Sequence, residues 1–400
     1  MFIKNQKTIL IVGAGFLQSF IIQKARALGY HTIAIDGSST AVGFQDADEH
    51  FVVDIKDKDK ILSLAKEKKI DGIITGATDY GVISTSYVAK NLGLIGLNYD
   101  SANLIKNKYL TRKTLFDNNV DSMKQFHLIN NLEEINIVKN FVSYPVIVKP
   151  VDGSGSKGVT KANNDKEFCV ACKSAIESSI SKKALAEDFI VGKEYGVESI
   201  VLNGEIFVLS ILKKKMTEPP YYAELMHVVP SGLENEEDVK IIVKNAIKAL
   251  KINSGAVNMD LLINSKNEIY IVDIGARLGG NMISSHIVPN SIDYDYIGEH
   301  IKFYMNDPFE KPSFKVIKPI VSRLITLEEG IIKTLPKTKE VEDKYGVKVF
   351  FNKTISDKIN SYKTNLDGCG YILSFNPGLE TSINNVKEAL IELENTIERY

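Results

Sequence analysis

The sequence predicts an α/β protein of two or three domains that opens with a doubly wound, parallel sheet. Apolar strands and helical segments alternate through the first hundred residues, the pattern of successive β-α-β units. Glycine-rich turns follow apolar strands at Gly13-Ala14-Gly15 and again from Gly153 to Gly158. At 400 residues the chain is too long for a single hydrophobic core.

The elements follow in order. Residues 8–12 form a continuous apolar strand, and 16–28 have helical spacing with Gly29 placed to end them. A second strand at 31–35 ends at Asp36. A strand at 51–53, a helix at 61–67, a strand at 72–75, a helix at 83–91 and a short strand near Leu94 complete the series. Gly13, Gly15 and Asp36 make half of a dinucleotide fingerprint, but Gln18 stands where the third glycine of G-x-G-x-x-G belongs. A Rossmann-like domain that does not bind a dinucleotide is the better reading. Downstream, 108–118 is helical, 146–148 is a strand, and 184–274 alternates strands with a helix at 239–250. The stretch 311–400 holds short strands at 320–325, 347–351 and 370–375 and a closing helix at 382–397. No low-complexity linker separates these parts, so they are expected to pack together.

Charge and composition exclude several classes. With 49 basic and 50 acidic residues the formal net charge is −1, which is not the basic footprint of a nucleic-acid binder. Lys213-Lys214-Lys215 is expected to be a solvated face. No apolar run reaches the roughly 18 to 20 residues that span a bilayer, and Gly13, Gly15, Gln18 and Ser19 interrupt the nearest candidate. Three cysteines make no disulfide framework, which favours the cytoplasm. Cys169 and Cys172 fall on a helical pattern and read as small apolar residues.

Three clusters carry chemistry. The first places Lys149 at the end of an apolar strand, just before Asp152-Gly153-Ser154-Gly155-Ser156-Lys157-Gly158. Glycines let backbone N–H groups converge on phosphate oxygens, and lysine adds a point charge. The same loop reads equally well as a hairpin turn. The second is Glu187-Asp188-Phe189-Ile190, followed by Glu194. It is either an ordinary strand end or an inter-domain hinge at Phe189 and Ile190 that reads an adenine edge, with Glu194 accepting from ribose hydroxyls.

The third is a predicted hairpin of residues 255–263 and 268–274. A four-residue loop at 265–268 sets Asp260 opposite Asp273, with Cβ atoms about 4.5–5.5 Å apart. Two carboxylates so placed repel one another unless a divalent cation lies between them, and hard oxygen ligands suit Mg²⁺. Solvated loop-side aspartates are the alternative. Arg277 follows directly, where it is able to neutralise a developing phosphoryl or acyl oxygen, and Gly279-Gly280 would admit a substrate carboxylate to the backbone.

In this order the segments resemble the ATP-grasp superfamily, over the whole chain. Asn107-Lys108 resembles its first phosphate-binding lysine and Val148-Lys149-Pro150 its second, and residues 152–159 resemble its glycine-rich lid. Glu187 and Glu194 match its adenine and ribose carboxylates, Asp260 and Asp273 its metal pair, and Arg277 its catalytic arginine. The resemblance implies a Rossmann-like pre-ATP-grasp domain at 1–105 and ATP-grasp α+β domains at 106–310, with a mobile lid at about 140–192. A C-terminal α+β lid-side domain at 311–400 completes the chain. It further implies ATP contacts at Lys108, Lys149, Ser154, Ser156, Lys157, Gly158, Glu187, Phe189, Ile190, Glu194 and Leu262, and a metal at Asp260 and Asp273.

The cofactors implied are ATP and Mg²⁺ (or Mn²⁺), and the partners are a small carboxylate and an amine, with a homodimer as a candidate assembly. Two departures stand out. The family's second metal carboxylate is usually glutamate where this chain has Asp273, and its further asparagine ligand is replaced by Gly275. Tyr222-Ala223-Glu224-Leu225-Met226-His227-Val228-Val229-Pro230 and the run 274–280 are similar to the amino-acid ligase branch, which implies that His227, Arg277, Gly279 and Gly280 lie near substrate; the alternatives are that His227 only orders its loop and that 275–281 is a turn after a strand. The expected activity is amide formation through an acyl phosphate. The alternatives are a bicarbonate-using carboxylase-type reaction and a nucleotide-binding protein with lapsed catalysis.

Overall fold

The computed structural model describes residues 6–153, 155, 157–219, 221–313 and 317–400. The N-terminal sheet is parallel, built from β1 (Thr8–Val12), β2 (His31–Asp36), β3 (Glu49–Val52) and β4 (Gly72–Thr75) in the order β3-β2-β1-β4. β1, β4 and the middle of β2 are apolar and buried because both faces are covered there, whereas the edge strand β3 is partly exposed. Ile9, Ile11, Ala34 and Ile74 pack on α1 (Phe16–Ala27), whereas Leu10, Val12, Ile33, Ile35 and Ile73 pack on α2 (Lys58–Lys68) and α3 (Val82–Leu92). The strand expected near Leu94 does not form. Gly93 ends α3 in the left-handed region and Asn98 already caps α4 (Tyr99–Lys106), leaving too little chain between them.

The first strand-to-helix turn is filled by the chain itself. Gln18 donates through Nε2 to the Gly76 carbonyl at 2.7 Å, and its side chain lies 3.2 Å from where a Cβ on Gly13 would be. Both Asp36 oxygens accept backbone N–H groups, from Ala14 and Ser38, each at 2.9 Å. Asp36 therefore fastens the turn with the oxygens that a ribose would need.

After α5 (Lys108–Asp117) comes a second, antiparallel sheet of β5 (Phe126–Ile129), β6 (Val146–Pro150), β7 (Thr160–Ala162) and β8 (Ala184–Asp188) in the order β5-β8-β6-β7. The short α6 (Ile135–Val138) and α7 (Asp165–Ser178) cover it, and Phe168, Ala171, Cys172 and Ala175 of α7 enter its core. Cys172 is a buried apolar residue whose thiol burial pushes up to about 12.

The largest sheet has eight strands. Four of them are β9 (Lys193–Leu202), β10 (Glu205–Met216), β11 (Glu224–Val229) and β12 (Gly255–Ile263). The others are β13 (Ile269–Gly275), β14 (Ile320–Leu324), β16 (Val347–Phe351) and β18 (Gly370–Ser374). The order is β13-β12-β9-β10-β11-β14-β18-β16, while β15 (Gly330–Thr334), β17 (Lys358–Ile359) and β19 (Glu398–Arg399) make a small separate sheet. Strands from the last ninety residues thus extend the sheet that carries Asp260 and Asp273.

Helix α8 (Glu236–Ala249) covers one part of this sheet. Another core joins α9 (Val288–Ile292) and α10 (Tyr296–Tyr304) to α1 and the N-terminal sheet. Helix α12 (Leu379–Thr396) packs with α11 (Thr338–Tyr345) over the C-terminal strands. Among the described residues no helix is long and apolar enough to cross a membrane.

Candidate active site

The hairpin of β12 and β13 sets the geometry. Asp260 lies opposite Asp273, but by a different route from the one expected. Near the turn Ile263 pairs with Ile269, which leaves five loop residues rather than four. A bulge between Asp260 and Leu261 then leaves Val272 out of the pairing and restores the register at the aspartates. The carbonyl of Val272 accepts from Lys149 Nζ at 3.1 Å.

Each aspartate carries a lysine. Lys108, the first residue of α5, contacts Asp273 through its ammonium. Lys214 reaches Asp260 Oδ1 at 2.6 Å and also contacts Glu224. The expectation that residues 213–215 form a solvated face is therefore wrong at its middle member. Strand alternation exposes Lys213 and Lys215 and turns Lys214 into the site, where it is buried. Gly196, between the strands that carry Lys214 and Asp260, makes room for the crossing: a Cβ there would meet Lys214 Cε at 3.2 Å.

Lys149, next to last in β6, reaches Glu187 Oε2 on β8 at 2.5 Å. Arg112 of α5 donates from Nε to Glu187 Oε1 at 2.7 Å and from Nη1 to Asp121 at 2.6 Å, and contacts the Ile271 carbonyl. Burial alone would raise the Glu187 carboxyl, but Arg112 and Lys149 outweigh it and hold it down at about 2. Glu194, at the start of β9, is the opposite case: burial pushes it up to about 7, and Asp260 and Glu224 add to the rise against Lys214. Leu262 sits beside Glu194 across the β9–β12 pairing.

Phe189 and Ile190 are half-buried in the connection from β8 to β9. The Phe189 N–H donates to the Pro145 carbonyl at 3.2 Å, and its ring lies 4.2 Å from Lys161 Nζ. Of the glycine-rich loop, Ser154 and Ser156 lie outside the described residues. Lys157 is exposed, and Gly158 has a φ of +76° that favours glycine. Asp152 anchors the loop by accepting from Ser179 Oγ at 2.8 Å and from the N–H groups of Ile180 at 2.9 Å and Ser181 at 2.7 Å.

Arg277 Nε donates to Asp79 Oδ1 at 2.9 Å, so the loop between β4 and α3 reaches the end of β13. Asp79 would be raised by burial, but Arg277 and the lysines nearby outweigh this and lower it. Asp79 Oδ1 lies 3.1 Å from where a Cβ on Gly275 would stand. The N–H of Gly279 is already engaged, donating to Glu198 Oε1 at 2.9 Å, and a Cβ at Gly279 would come within 2.5 Å of Glu198 Oε2. This glycine therefore admits a carboxylate of the protein itself. Gly280 faces the N-terminal unit, with Leu17 and Ala77 3.6 Å and 3.7 Å from its would-be Cβ.

His227 is fully buried on β11, between Lys214 and Ser322 on the neighbouring strands, with Nε2 3.3 Å from Glu224 Oε2. Glu224 also contacts Asn281, whose Oδ1 accepts from Tyr371 at 2.9 Å. Reading the sequence missed Arg112, Lys214, Glu224, Glu198 and Asp79 as members of this site. Only the alternation around Lys214 carried a signal for any of them.

Among the described residues no group of three or more histidines, cysteines or acids is arranged to hold a metal. Asp260 and Asp273 nonetheless offer two opposed hard-oxygen donors, and both already draw an ammonium. The pair fits a divalent cation.

Residues 142–285 match the ATP-grasp domain model. The formate-dependent phosphoribosylglycinamide formyltransferase of Prochlorococcus marinus (strain MIT 9515) is 22% identical over 343 residues, covering 82% of this chain and 83% of that protein. The crystal structure of phosphoribosylglycinamide synthetase from Anaerococcus prevotii is similar with a TM-score of 0.79 and 25% identity, over 99% of this chain and 100% of that one. That of L-amino acid ligase from Bacillus licheniformis is similar with a TM-score of 0.85 and 22% identity, over 99% and 98%. The chain thus carries an ATP-grasp domain at residues 142–285 and is similar in fold along its length to these enzymes.

Proposed function

We propose that this protein is an ATP- and Mg²⁺-dependent, ADP-forming carboxylate–amine ligase, with an amino acid or similar small carboxylate as its acyl substrate. The observation that carries the reading is the opposition of Asp260 and Asp273 across one hairpin, with Lys108 and Lys149 on the adjoining elements. A divalent cation held by the two aspartates would supply charge neutralisation for the phosphates.

The chain's own residues would do the rest. Lys108 and Lys149 exchange their present carboxylate partners for phosphate oxygens, and the loop at 152–159 closes over them and excludes water. Glu187 and the 189–190 connection face the adenine, and Glu194 takes the ribose hydroxyls. A substrate carboxylate oxygen then attacks the terminal phosphorus of ATP in line, giving an acyl phosphate and ADP. The amine attacks the acyl carbon, the tetrahedral oxyanion is stabilised by Arg277, and phosphate leaves. Arg277 suits this role because Asp79 holds Nε and the Leu278 carbonyl takes Nη1 at 3.3 Å, while Nη2 has no hydrogen-bond partner among the described residues.

The amino-acid reading draws support from the likeness to the L-amino acid ligase of Bacillus licheniformis.

The test is ADP release over amino acids offered singly and in pairs, with hydroxylamine added to trap the acyl phosphate. A hydroxamate that forms without any amine partner supports the reading. Release of AMP and pyrophosphate instead of ADP would overturn it.

A further inference from the structure

Lys106 and Lys108 flank Asn107, which ends α4 and caps α5 by accepting from the Leu110 N–H at 3.0 Å. Both lysines line one small cavity of about 30 Å³, together with Asp79, Gly153, Asp273 and Gly275 among others. It has room for a group the size of one oxygen. Lys108 uses its charge on Asp273. Lys106 does not: its Nζ is buried and has no hydrogen-bond partner among the described residues.

The carboxylates whose fields reach Lys106 are all otherwise committed. Asp79 is paired with Arg277, Asp273 with Lys108, and Asp152 with the Ser179–Ser181 turn. The face of Tyr80, 4.5 Å from Nζ, offsets part of the cost of burying the ammonium, but it is no counterion. An ammonium buried without an acceptor is expensive, and its burial accordingly lowers the Lys106 pKa. Gly153, which begins the turn of the glycine-rich loop, lines the same cavity.

We propose that Lys106 is a third phosphate-binding cation of the site, and that its ligand is an oxygen of the terminal phosphoryl group of the nucleoside triphosphate. The inference rests on the nucleotide reading given above. It adds a residue that recognises the transferred phosphoryl rather than the diphosphate left behind. Lys108 approaches that group from the Asp273 side and Lys106 from the Asp79 side, with Gly153 lining the same cavity.

The test compares the full-length protein with Lys106→Met and Lys106→Arg. Calorimetry measures binding of Mg·ADP and of the non-hydrolysable Mg·AMPPNP, and a thermal melt measures the ligand-free proteins. Losing a charge-assisted bond to the terminal phosphoryl should weaken AMPPNP by about tenfold to a hundredfold in Lys106→Met. ADP should stay within about twofold, since the cation acts beyond the β-phosphate. Lys106→Arg should recover part of the AMPPNP affinity. The ligand-free Lys106→Met protein should melt no lower than the parent, because an unpaired buried charge has been removed.

Equal AMPPNP affinity in parent and Lys106→Met would overturn the proposal. So would a lowered melt with ADP and AMPPNP weakened alike, which would mark Lys106 as a structural partner of Tyr80. Failure of the parent protein to bind either nucleotide would overturn the nucleotide reading itself, and this inference with it.

Discussion

Lys214 on β10 crosses the intervening strand β9 above Gly196 and meets Asp260 on β12, Nζ to Oδ1 at 2.6 Å. Its other contact is Glu224 on β11, so one buried ammonium serves carboxylates from both sides of its own strand. Burial works against each of these charges separately. Lys214 nonetheless keeps a raised pKa, and Glu224 is held well below the usual carboxylate range by Lys214 and His227. The network ties Asp260 to the strand that carries His227.

Breaking this network from the lysine side should be costly. Lys214→Met leaves Glu224 and Asp260 without their shared cation and should destabilise the fold by about 3–5 kcal/mol in chemical denaturation. Lys213→Ala and Lys215→Ala, whose side chains are exposed, should stay within about 0.5 kcal/mol of the parent. Equal, small effects at all three positions would mean that Lys214 is not a structural centre.

The contrast within this triplet shows what the sequence makes legible. Period-two alternation follows from strand geometry, so a charged run on a strand places its middle member opposite its neighbours; reading the run as a solvated face ignored that. The opposition of Asp260 and Asp273 was legible because both lie on one hairpin and local register fixes it. Even there a compensating bulge at Val272 stood in for the expected four-residue turn. Arg112 and Asp79 were not legible. Arg112 meets Glu187 from 75 positions away and Asp79 meets Arg277 from 198, and only the packing of separate sheets brings them together.

Glu198 and Glu194 predict a pH dependence of stability. Burial pushes each up to about 7 from an ordinary value near 4.5; at Glu198 this wins over hydrogen bonds from Gly279, Asn258 and Tyr296. A carboxyl that holds its proton more tightly when folded favours the folded state at low pH. Stability from these groups is thus fully present below about 4.5, declines as pH rises towards 7, and is level above that. Glu187 and Glu224 have lowered pKa values and act with the opposite sign, chiefly below about 4.5.

Melting temperatures across this window should flatten in Glu198→Gln and flatten further in Glu194→Gln/Glu198→Gln. The glutamine at 198 keeps an acceptor for Gly279 and Tyr296, and Asn258 need only turn its amide. An unchanged slope between pH 4.5 and 7 in the double variant would show that neither carboxyl titrates there.

Nucleotide binding should appear as stabilisation, since a ligand that binds only the folded state shifts the equilibrium by mass action. Mg·ATP and Mg·ADP at about a hundred times Kd should each add about 2.7 kcal/mol. NAD should add nothing, because Gln18 fills the first turn and Asp36 spends both oxygens on backbone N–H groups. A melt shifted by NAD and by neither adenine nucleotide would sink the assignment of the site.

Asp273 gives the sharpest test of the metal pair. Viewed alone, two opposed carboxylates suggest that Asp273→Asn should relieve repulsion and stabilise the ligand-free protein. The lysines change this expectation. Lys108 contacts Asp273 directly, while the charge of Asp260 is already met by Lys214, so the substitution removes an attraction and relieves little repulsion. Because Asp273 is partly exposed, the loss should be small, about 1 kcal/mol or less. Function should respond differently. Charge stabilisation by a bound metal is worth several kcal/mol in such sites, so ATP-dependent turnover should fall by about two to four orders of magnitude. ADP binding in Asp273→Asn should also lose its dependence on Mg²⁺, a readout independent of catalysis. Asp273→Glu should keep both properties, as the added methylene extends the same donor towards the same space. If Asp260→Asn and Asp273→Asn both retain turnover and Mg²⁺-dependent ADP binding, the two residues are not the metal ligands. Their lysines would then be the reason they face one another.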